Sequence, residues 1–393
     1  MAGKSPGVDL TERLYYTDSY LREFEAEVIE VQGQRVYLNR TAFYPTSGGQ
    51  PHDLGLIGQA RILDVIDEGD RIAHLVDRPP HFGPVHCRID WDRRFDHMQQ
   101  HTGQHLLSAV LKRDYGITTV SFHLGRDVST IDLDRPPPEL PALELAVNRE
   151  IYTHRSVSVA FEEAASASDL RKPSDRQGTL RIVTIEGLDR SACGGTHLRS
   201  TAEIGLLLLG RTEKIRNHTR LEFLCGLRAL RRARRDLDSL SRIAASLTTH
   251  PADAADAVER KLAELRALSR EHRRLSIELA QLRGQELYRQ TPPGPGGLKT
   301  YWREVPQLSE EVRAEAQGFL SAGRALYAAY TTAPSSLLIA ASPDSGFDAA
   351  TLARHITHKL GGRGGGSSTL AQCSVPDLAA ALQLLRSALN MAS

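Results

Sequence analysis

The chain has 393 residues, 40% hydrophobic and 25% charged, which excludes a disordered or collagen-like polymer and leaves apolar material for several cores. Lys and Arg number 49 against 48 Asp and Glu, so the net charge of +1 makes no global case for polyanion binding, and any such site must be local. Four cysteines, Cys87, Cys193, Cys225 and Cys373, are too few and too scattered for a disulfide scaffold and fit a reducing cytoplasm.

Met1 to Leu14 carries one Lys and no apolar stretch, so it is not read as a secretory signal. The longest aliphatic run, Ile204 to Leu209, falls far short of the roughly 20 residues of a membrane span. From Phe24 to about Asp92 short strands alternate with Gly-, Pro- and Asp-rich turns: Phe24 to Val31, Val36 to Arg40, Ala60 to Ile66, Arg71 to Val76 and Val85 to Trp91. A small β-barrel-like lobe over 1–92 is predicted. A helix follows over Asp96 to Tyr115, where Leu106, Leu107, Val110 and Leu111 recur at helical spacing. A strand at Val128 to Leu133, a helix to about Tyr152, and strands at Val157 to Phe161 and Leu180 to Ile185 then predict an α+β sandwich over 93–226.

From Leu227 to Gln290 the chain turns rich in Arg, Glu, Ala and Leu, interrupted near Pro251. Leu265, Leu268, His272, Leu275, Leu279 and Leu282 alternate steps of three and four, the seam of a helical hairpin or coiled coil over 227–290. Burial of that seam is expected against the helix from Leu227 to Leu247 or against a second subunit, which would make a homodimer. Thr291 to Gly297, TPPGPGG, is a domain boundary. Beyond it, a strand at Thr300 to Val305, a helix over Glu310 to Tyr330, a strand at Ser336 to Ala341, a helix over Ala349 to Leu360 and a last helix from Asp377 predict a small α/β domain over 298–393.

The chemistry concentrates in two phrases. His101 and His105 lie four apart inside a predicted helix and project from one face. Cys193-Gly-Gly-Thr-His197 offers a thiolate and an imidazole on a tight turn. Either pair alone is weak, since surface histidines are common; together they match the nitrogen and sulfur preference of zinc. Thr102 occupies the place where zinc peptidases carry Glu, so peptide hydrolysis lacks its base. Four protein ligands ordinarily close a structural site, so catalysis requires five ligands or one candidate that does not ligate. Cys87, Cys225 and Cys373 have no such neighbours and read as small buried residues. Arg228, Arg231, Arg232, Arg234 and Arg235 form a basic helical run, read as a solvated face or a phosphate track.

The phrases Phe43-Tyr-Pro-Thr-Ser-Gly-Gly-Gln50, Met98-Gln-Gln-His-Thr-Gly-Gln-His105, Phe122-His-Leu-Gly125 with Ser129-Thr-Ile-Asp132, and Asp189-Arg-Ser-Ala-Cys-Gly-Gly-Thr-His197 resemble the editing domain of alanyl-tRNA synthetase and, most closely, the free-standing alanyl-tRNA editing proteins. Gly361-Gly-Arg-Gly-Gly-Gly366 with Leu370-Ala-Gln372 resembles the C-terminal domain shared by those synthetases and DHH phosphoesterases. The resemblance runs from about Leu14 to the end, the long form of the family. Ser47 stands where the family phrase has its first glycine, and Asp96-His97-Met98 lacks the phosphoesterase signature. An upstream aminoacylation domain has no room, so tRNA charging is not expected.

The resemblance implies a cytoplasmic, zinc-dependent hydrolase that removes serine, and glycine with it, from mischarged alanine tRNA, with no membrane partner. His101, His105, Cys193 and His197 would hold Zn2+. Thr46 and Gln104 would act in the editing pocket, with the Thr46 hydroxyl recognising serine. Gly361, Gly362, Arg363, Gly364, Gly365 and Gly366 would contact tRNA. An alkyl pocket distinguishes alanine from serine by only about a hundredfold, which is the physical need for a second site. The alternative is a tRNA-binding module whose zinc is purely structural; a hydrolase of small esters or free D-aminoacyl compounds is a third.

Overall fold

The structure, a computed structural model, describes residues 10–173 and 177–390; the stretch through residue 9, part of the segment read as lacking a secretory signal, lies outside them. Among the described residues no helix is long and apolar enough to cross a membrane. The chain forms two compact units, Met1–Arg242 and Ile243–Ser393.

The first unit opens with β1 (Glu12–Arg13), β2 (Glu23–Gln32), β3 (Arg35–Leu38), β4 (Arg40–Thr41), β5 (Gly55–Ile57), β6 (Ala60–Asp67), β7 (Ile72–Val76) and β8 (Gly83–Ile89). Six of them close a barrel in the order β2-β3-β7-β6-β5-β8, which removes the exposed strand edges. Strand β2 shows why: Phe24, Ala26 and Val28 point inward while Glu23, Glu25 and Glu27 face out, the two-residue alternation of a half-buried strand. The predicted lobe is thus a closed barrel; the short β5 was missed because three residues carry no periodicity.

Helix α1 (Trp91–Tyr115) begins five residues before the predicted start. The Asp90 side chain accepts from the Arg93 backbone N–H, and Gly116, at φ 67°, ends the helix in the left-handed conformation. There follow β9 (Thr119–Leu124), β10 (Ser129–Leu133), α2 (Leu140–Tyr152), β11 (Val157–Glu163), β12 (Thr179–Ile185), β13 (Asp189–Ala192), β14 (Leu207–Ile215), β15 (His218–Cys225) and α3 (Gly226–Ser246). They pair as a four-stranded sheet, β14-β15-β10-β9, and a three-stranded one, β11-β12-β13. Leu106, Leu107, Val110 and Leu111 of α1 pack against Ile131, Leu133, Leu221 and Phe223 of the larger sheet. Polar positions of α1 are buried too, and some are satisfied by backbone: Gln100 both donates to the Cys225 carbonyl and accepts its N–H, and Gln99 donates to the Glu203 carbonyl.

The second unit holds α4 (Ala254–Gln290), β16 (Lys299–Glu304), α5 (Glu310–Ser321), β17 (Ala325–Thr332), β18 (Ser335–Ala341), α6 (Ala349–Leu360), β19 (Arg363–Gly366), β20 (Leu370–Ser374) and α7 (Leu378–Asn390). Its sheet runs β16-β17-β18-β20-β19. The expected helix from Glu310 to Tyr330 is corrected: it stops at Ser321, and Ala325–Thr332 is a central strand with Ala325 to Ala329 fully buried. A short all-apolar run does not distinguish a buried strand from a buried helix, which is how the two merged in the sequence. The glycine phrase is corrected from a loop to the edge strand β19; Gly362, Gly364 and Gly366 lie so close to β20 that a Cβ would overlap Ser374, Cys373 and Leu370 respectively.

The leucine seam of α4 is not covered within the chain, so the hairpin packing expected of it is corrected, while cover by a second subunit stays an expectation. Leu265, Leu268, Leu275, Leu279 and Leu282 are 50 to 68% exposed, and the buried residues of α4 are Ala254, Ala257, Ala280 and Gly284. Where α4 crosses α5 the approach is set by small residues, with Leu287 and Tyr288 packing on the core beyond the crossing. A Cβ on Gly284 would overlap the Glu315 carbonyl and one on Gly318 the Gln281 carbonyl, so α4 and α5 cross with their backbones touching. Gly318→Val is therefore expected to destabilise the protein by about 1–3 kcal/mol or more in urea denaturation, whereas Gly365→Ala, which meets nothing within 4 Å, stays within about 0.5 kcal/mol. Equal midpoints for both variants would show that the helices separate freely.

Candidate functional site

Two connections carry the site. The loop after β4 leaves the barrel, turns at Gly48 (φ 57°) and Gly49 (φ 84°), and closes through paired backbone bonds between Ser47 and Gln50 at 3.0 and 2.9 Å. Two successive left-handed residues are what a two-residue hairpin turn requires, and Ser47 sits outside them, so its replacement of glycine leaves the turn intact. The loop is tied to α1 by Asp53: its carboxylate accepts the Tyr44 N–H at 2.6 Å and the fully buried Arg94 Nε at 3.0 Å. The second connection, Cys193 to His197, follows β13 and is held by Arg181, which donates to the carbonyls of Cys193 and Gly195 at 2.7 and 2.9 Å.

These connections bring His101, His105, Cys193 and His197 together, with one ligand atom from each lying within 4.8 Å of all the others. Cys193 Sγ stands 3.4 Å from His101 Nε2 and 3.3 Å from His197 Nε2. Zinc bonds of about 2.3 Å to sulfur and 2.0–2.1 Å to nitrogen put an S···N tetrahedral edge at about 3.5 Å, so the residues fit that ion.

Every imidazole has its other nitrogen engaged. His101 Nδ1 meets Gln50 Oε1 at 2.8 Å, His105 Nδ1 meets the Asp189 carboxylate at 3.1 Å, and His197 Nδ1 meets the Thr102 hydroxyl at 3.2 Å. A donor role for Nδ1 toward the amide and carboxylate oxygens leaves Nε2 as a lone pair facing the cluster, the arrangement that orients metal-binding histidines. Gln50 is itself locked by its bond to Thr196 Oγ1 at 2.9 Å, and Asp189 by Arg171 at 2.7 Å. Burial alone would raise the Cys193 thiol pKa; the neighbouring imidazoles, His101 foremost, overcome it and hold the thiol well below its ordinary value, as a thiolate ligand requires. Burial, then His101, pushes His197 down to about 3, so it is neutral at pH 7. Against the cost of burial, the bond to His105 leads in bringing Asp189 down to about 2.

The cluster opens into a cavity of about 580 Å3 lined by Tyr16, Tyr44, Ser47, Gln104, Ser121, Phe122, Arg171 and Arg181 among others. Gln104, nearly buried, donates through Nε2 to Ser108 at 2.8 Å, leaving its carbonyl oxygen without a protein partner among the described residues. Thr46 is placed otherwise. Its hydroxyl accepts the His52 N–H at 3.1 Å and touches the His52 ring at 3.1 Å, and it is not among the residues lining the cavity. In the basic run, Arg228 is neutralised by Asp96 and Arg232 by Asp236, while Cys87, Cys225 and Cys373 are buried. Gln50, Thr102, Asp189 and Arg171 had been given no role from the sequence; Gln50 and Asp189 stand at the ends of quoted phrases, but nothing local marks the histidine each one meets.

Residues 180–221 match the family model described as the threonyl and alanyl tRNA synthetase second additional domain. The chain is 37% identical over 264 residues to alanyl-tRNA editing protein Aarsd1-A of Xenopus laevis, covering 64% of this chain and 64% of that protein. It is 34% identical over 297 residues to alanyl-tRNA editing protein Aarsd1 of Danio rerio, covering 68% and 71% respectively. Alanine--tRNA ligase of Pyrococcus abyssi is 30% identical over 404 residues, spanning 97% of this chain but 44% of the ligase. The chain thus spans a little under two thirds of the Xenopus relative and less than half of the ligase. With the matched residues including both β12–β13 and the Cys193–His197 turn, and with a Danio relative aligned over 71% of its length, the chain belongs to the alanyl-tRNA editing protein family.

Proposed function

We propose that the protein is an aminoacyl-tRNA deacylase that hydrolyses the ester joining a wrong amino acid, serine foremost and glycine with it, to alanine tRNA. The observation that carries this reading is the cavity of about 580 Å3 lined by His101, His105 and Cys193, with His197 in the same cluster. A zinc ion bound there would polarise the ester carbonyl or lower the pKa of a water molecule. His105 is bonded through Nδ1 to Asp189 just as His101 is to Gln50 and His197 to Thr102, so all four residues are available as ligands and hydrolysis would use a fifth position on the ion.

The chain's own residues then bind and select. The free Gln104 oxygen is an acceptor one helical turn from His101, placed to take a hydrogen bond from the serine hydroxyl; alanine would leave that acceptor unpaired. An unpaired buried acceptor costs about 1–3 kcal/mol, roughly ten- to a hundredfold in discrimination. Thr46, expected from the sequence to recognise serine, acts in this reading by closing the loop that carries Tyr44 and Ser47 to the cavity. On this reading residues 1–92 and 93–226 form the editing half, 227–290 a helical link, and 298–393 a tRNA-binding part in which the exposed β19, with Arg363, meets the backbone of the nucleic acid.

The test is release of amino acid from seryl-, glycyl- and alanyl-charged alanine tRNA by zinc-loaded protein. Seryl ester should be cleaved fastest, and Gln104→Leu should lower that rate about ten- to a hundredfold while narrowing the preference over alanyl ester. Thr46→Val should change both substrates alike. The filled set of four protein ligands favours a second reading, a tRNA-binding module with a structural metal. No release of serine above the uncatalysed rate, with tRNA still bound, establishes that second reading instead.

A further inference from the structure

We propose that the cleft at the β16 edge of the C-terminal sheet is a nucleotide site, taking one unstacked nucleotide of an RNA strand. The cleft, about 480 Å3, lies within the roughly 300–1,000 Å3 of small-ligand sites. It is lined by the turn at Gly294 to Gly296, by Trp302 and Phe347, and by Arg324 and Arg386. Among the described residues no carboxylate lines it. Two guanidinium groups therefore line one cavity with no carboxylate beside them among the described residues, so the cavity favours an anion.

The arginines are positioned differently. Arg324 is held by the Gly296 carbonyl at 2.8 Å and the Ser345 carbonyl at 3.4 Å, bonds that orient it without neutralising it. Arg386 lies with its guanidinium 5.5 Å from the centre of the half-buried Trp302 ring. A bare phosphate would need no aromatic wall, and an apolar ligand would need no arginines. A nucleotide needs both, because its base stacks on an aromatic or guanidinium face and its phosphate pairs with arginine. The lining offers little to read base edges: the Ser345 hydroxyl is spent on the Ser342 carbonyl, and Thr300 is the other hydroxyl present. That tolerance of base identity suits a strand passing through better than a dedicated mononucleotide cofactor. The sheet order puts β16 and β19 at opposite edges, so this cleft is separate from the glycine strand, and it does not depend on the chemistry of the zinc-type cluster.

The protein has two tryptophans, so Trp91→Phe in the full chain leaves Trp302 as the only indole reporter. Its fluorescence is titrated with adenosine, inorganic phosphate, AMP and a short oligoadenylate. Quenching by AMP, and by the oligonucleotide with affinity about tenfold higher or more, is expected, with both weakened at least about tenfold by Arg386→Gln. No response to either ligand, an unchanged affinity in Arg386→Gln, or phosphate or adenosine alone binding as well as AMP overturns the site. AMP binding as tightly as the oligonucleotide overturns the RNA strand as its occupant. Should Trp91→Phe fail to fold, the indole N–H resonances of the parent protein, assigned with Trp302→Phe, report the same titration.

Discussion

Replacing His101 with Ala and Cys193 with Ser together is expected to take bound zinc from about one ion per chain to none, and deacylation of seryl-tRNA with it. Both residues lie at the centre of the cluster: Cys193 Sγ is within 3.4 Å of two imidazoles, and the His101 ring is 4.4 Å from that of His197 and 5.3 Å from that of His105, centre to centre. Their loss leaves two histidines fastened at Nδ1 to Asp189 and Thr102, too few nitrogens to hold the ion at micromolar supply. Metal analysis of the purified variant, with circular dichroism to confirm the fold, makes the measurement. Undiminished zinc in the double variant would place the metal elsewhere; zinc lost with full deacylation retained would make it structural.

The second large effect separates two adjacent glycines. A Cβ on Gly195 would land on the His101 imidazole, which cannot retreat because Gln50 holds its Nδ1 and Phe122 lies against its face at 5.3 Å between ring centres. A Cβ on Gly194 would meet only the Tyr16 ring, at an ordinary 3.8 Å. Gly195→Ala should therefore cost roughly a hundredfold in turnover, the scale of a reacting group displaced by about 1 Å, while Gly194→Ala stays close to the parent. Equal activity of the two variants would mean that the Cys193–His197 turn shifts as a body and is not held by Arg181.

The four metal-type ligands were legible in the sequence because each pair is local. Two histidines four apart on a helix share a face wherever the helix goes, and Cys193 and His197 are joined by a turn that glycines permit. The barrel strands were legible for the same reason, their two-residue alternation being a property of the segment itself. The basic run illustrates the opposite case: Arg228 reads as a surface cation, yet it meets Asp96, 132 residues away in sequence.

By itself, then, the sequence brought forward the four clustered residues, the helix that carries half of them and the family phrases; the break it suggested at Thr291 to Gly297 lies within the second compact unit. Only the tertiary structure decided what those residues meet. Gln50 reaches His101 across 51 residues and Asp189 reaches His105 across 84, pairings that no periodicity encodes because they arise from how the barrel loop and β13 close over α1. It likewise gave Thr46 a partner in its own turn, made Ala325–Thr332 a strand, and left the α4 leucines exposed while Gly284 and Gly318 made the contact. Repeating leucines show which face of a helix is apolar; whether that face is covered depends on where the backbone of another element can approach, and here small residues allow the closer approach.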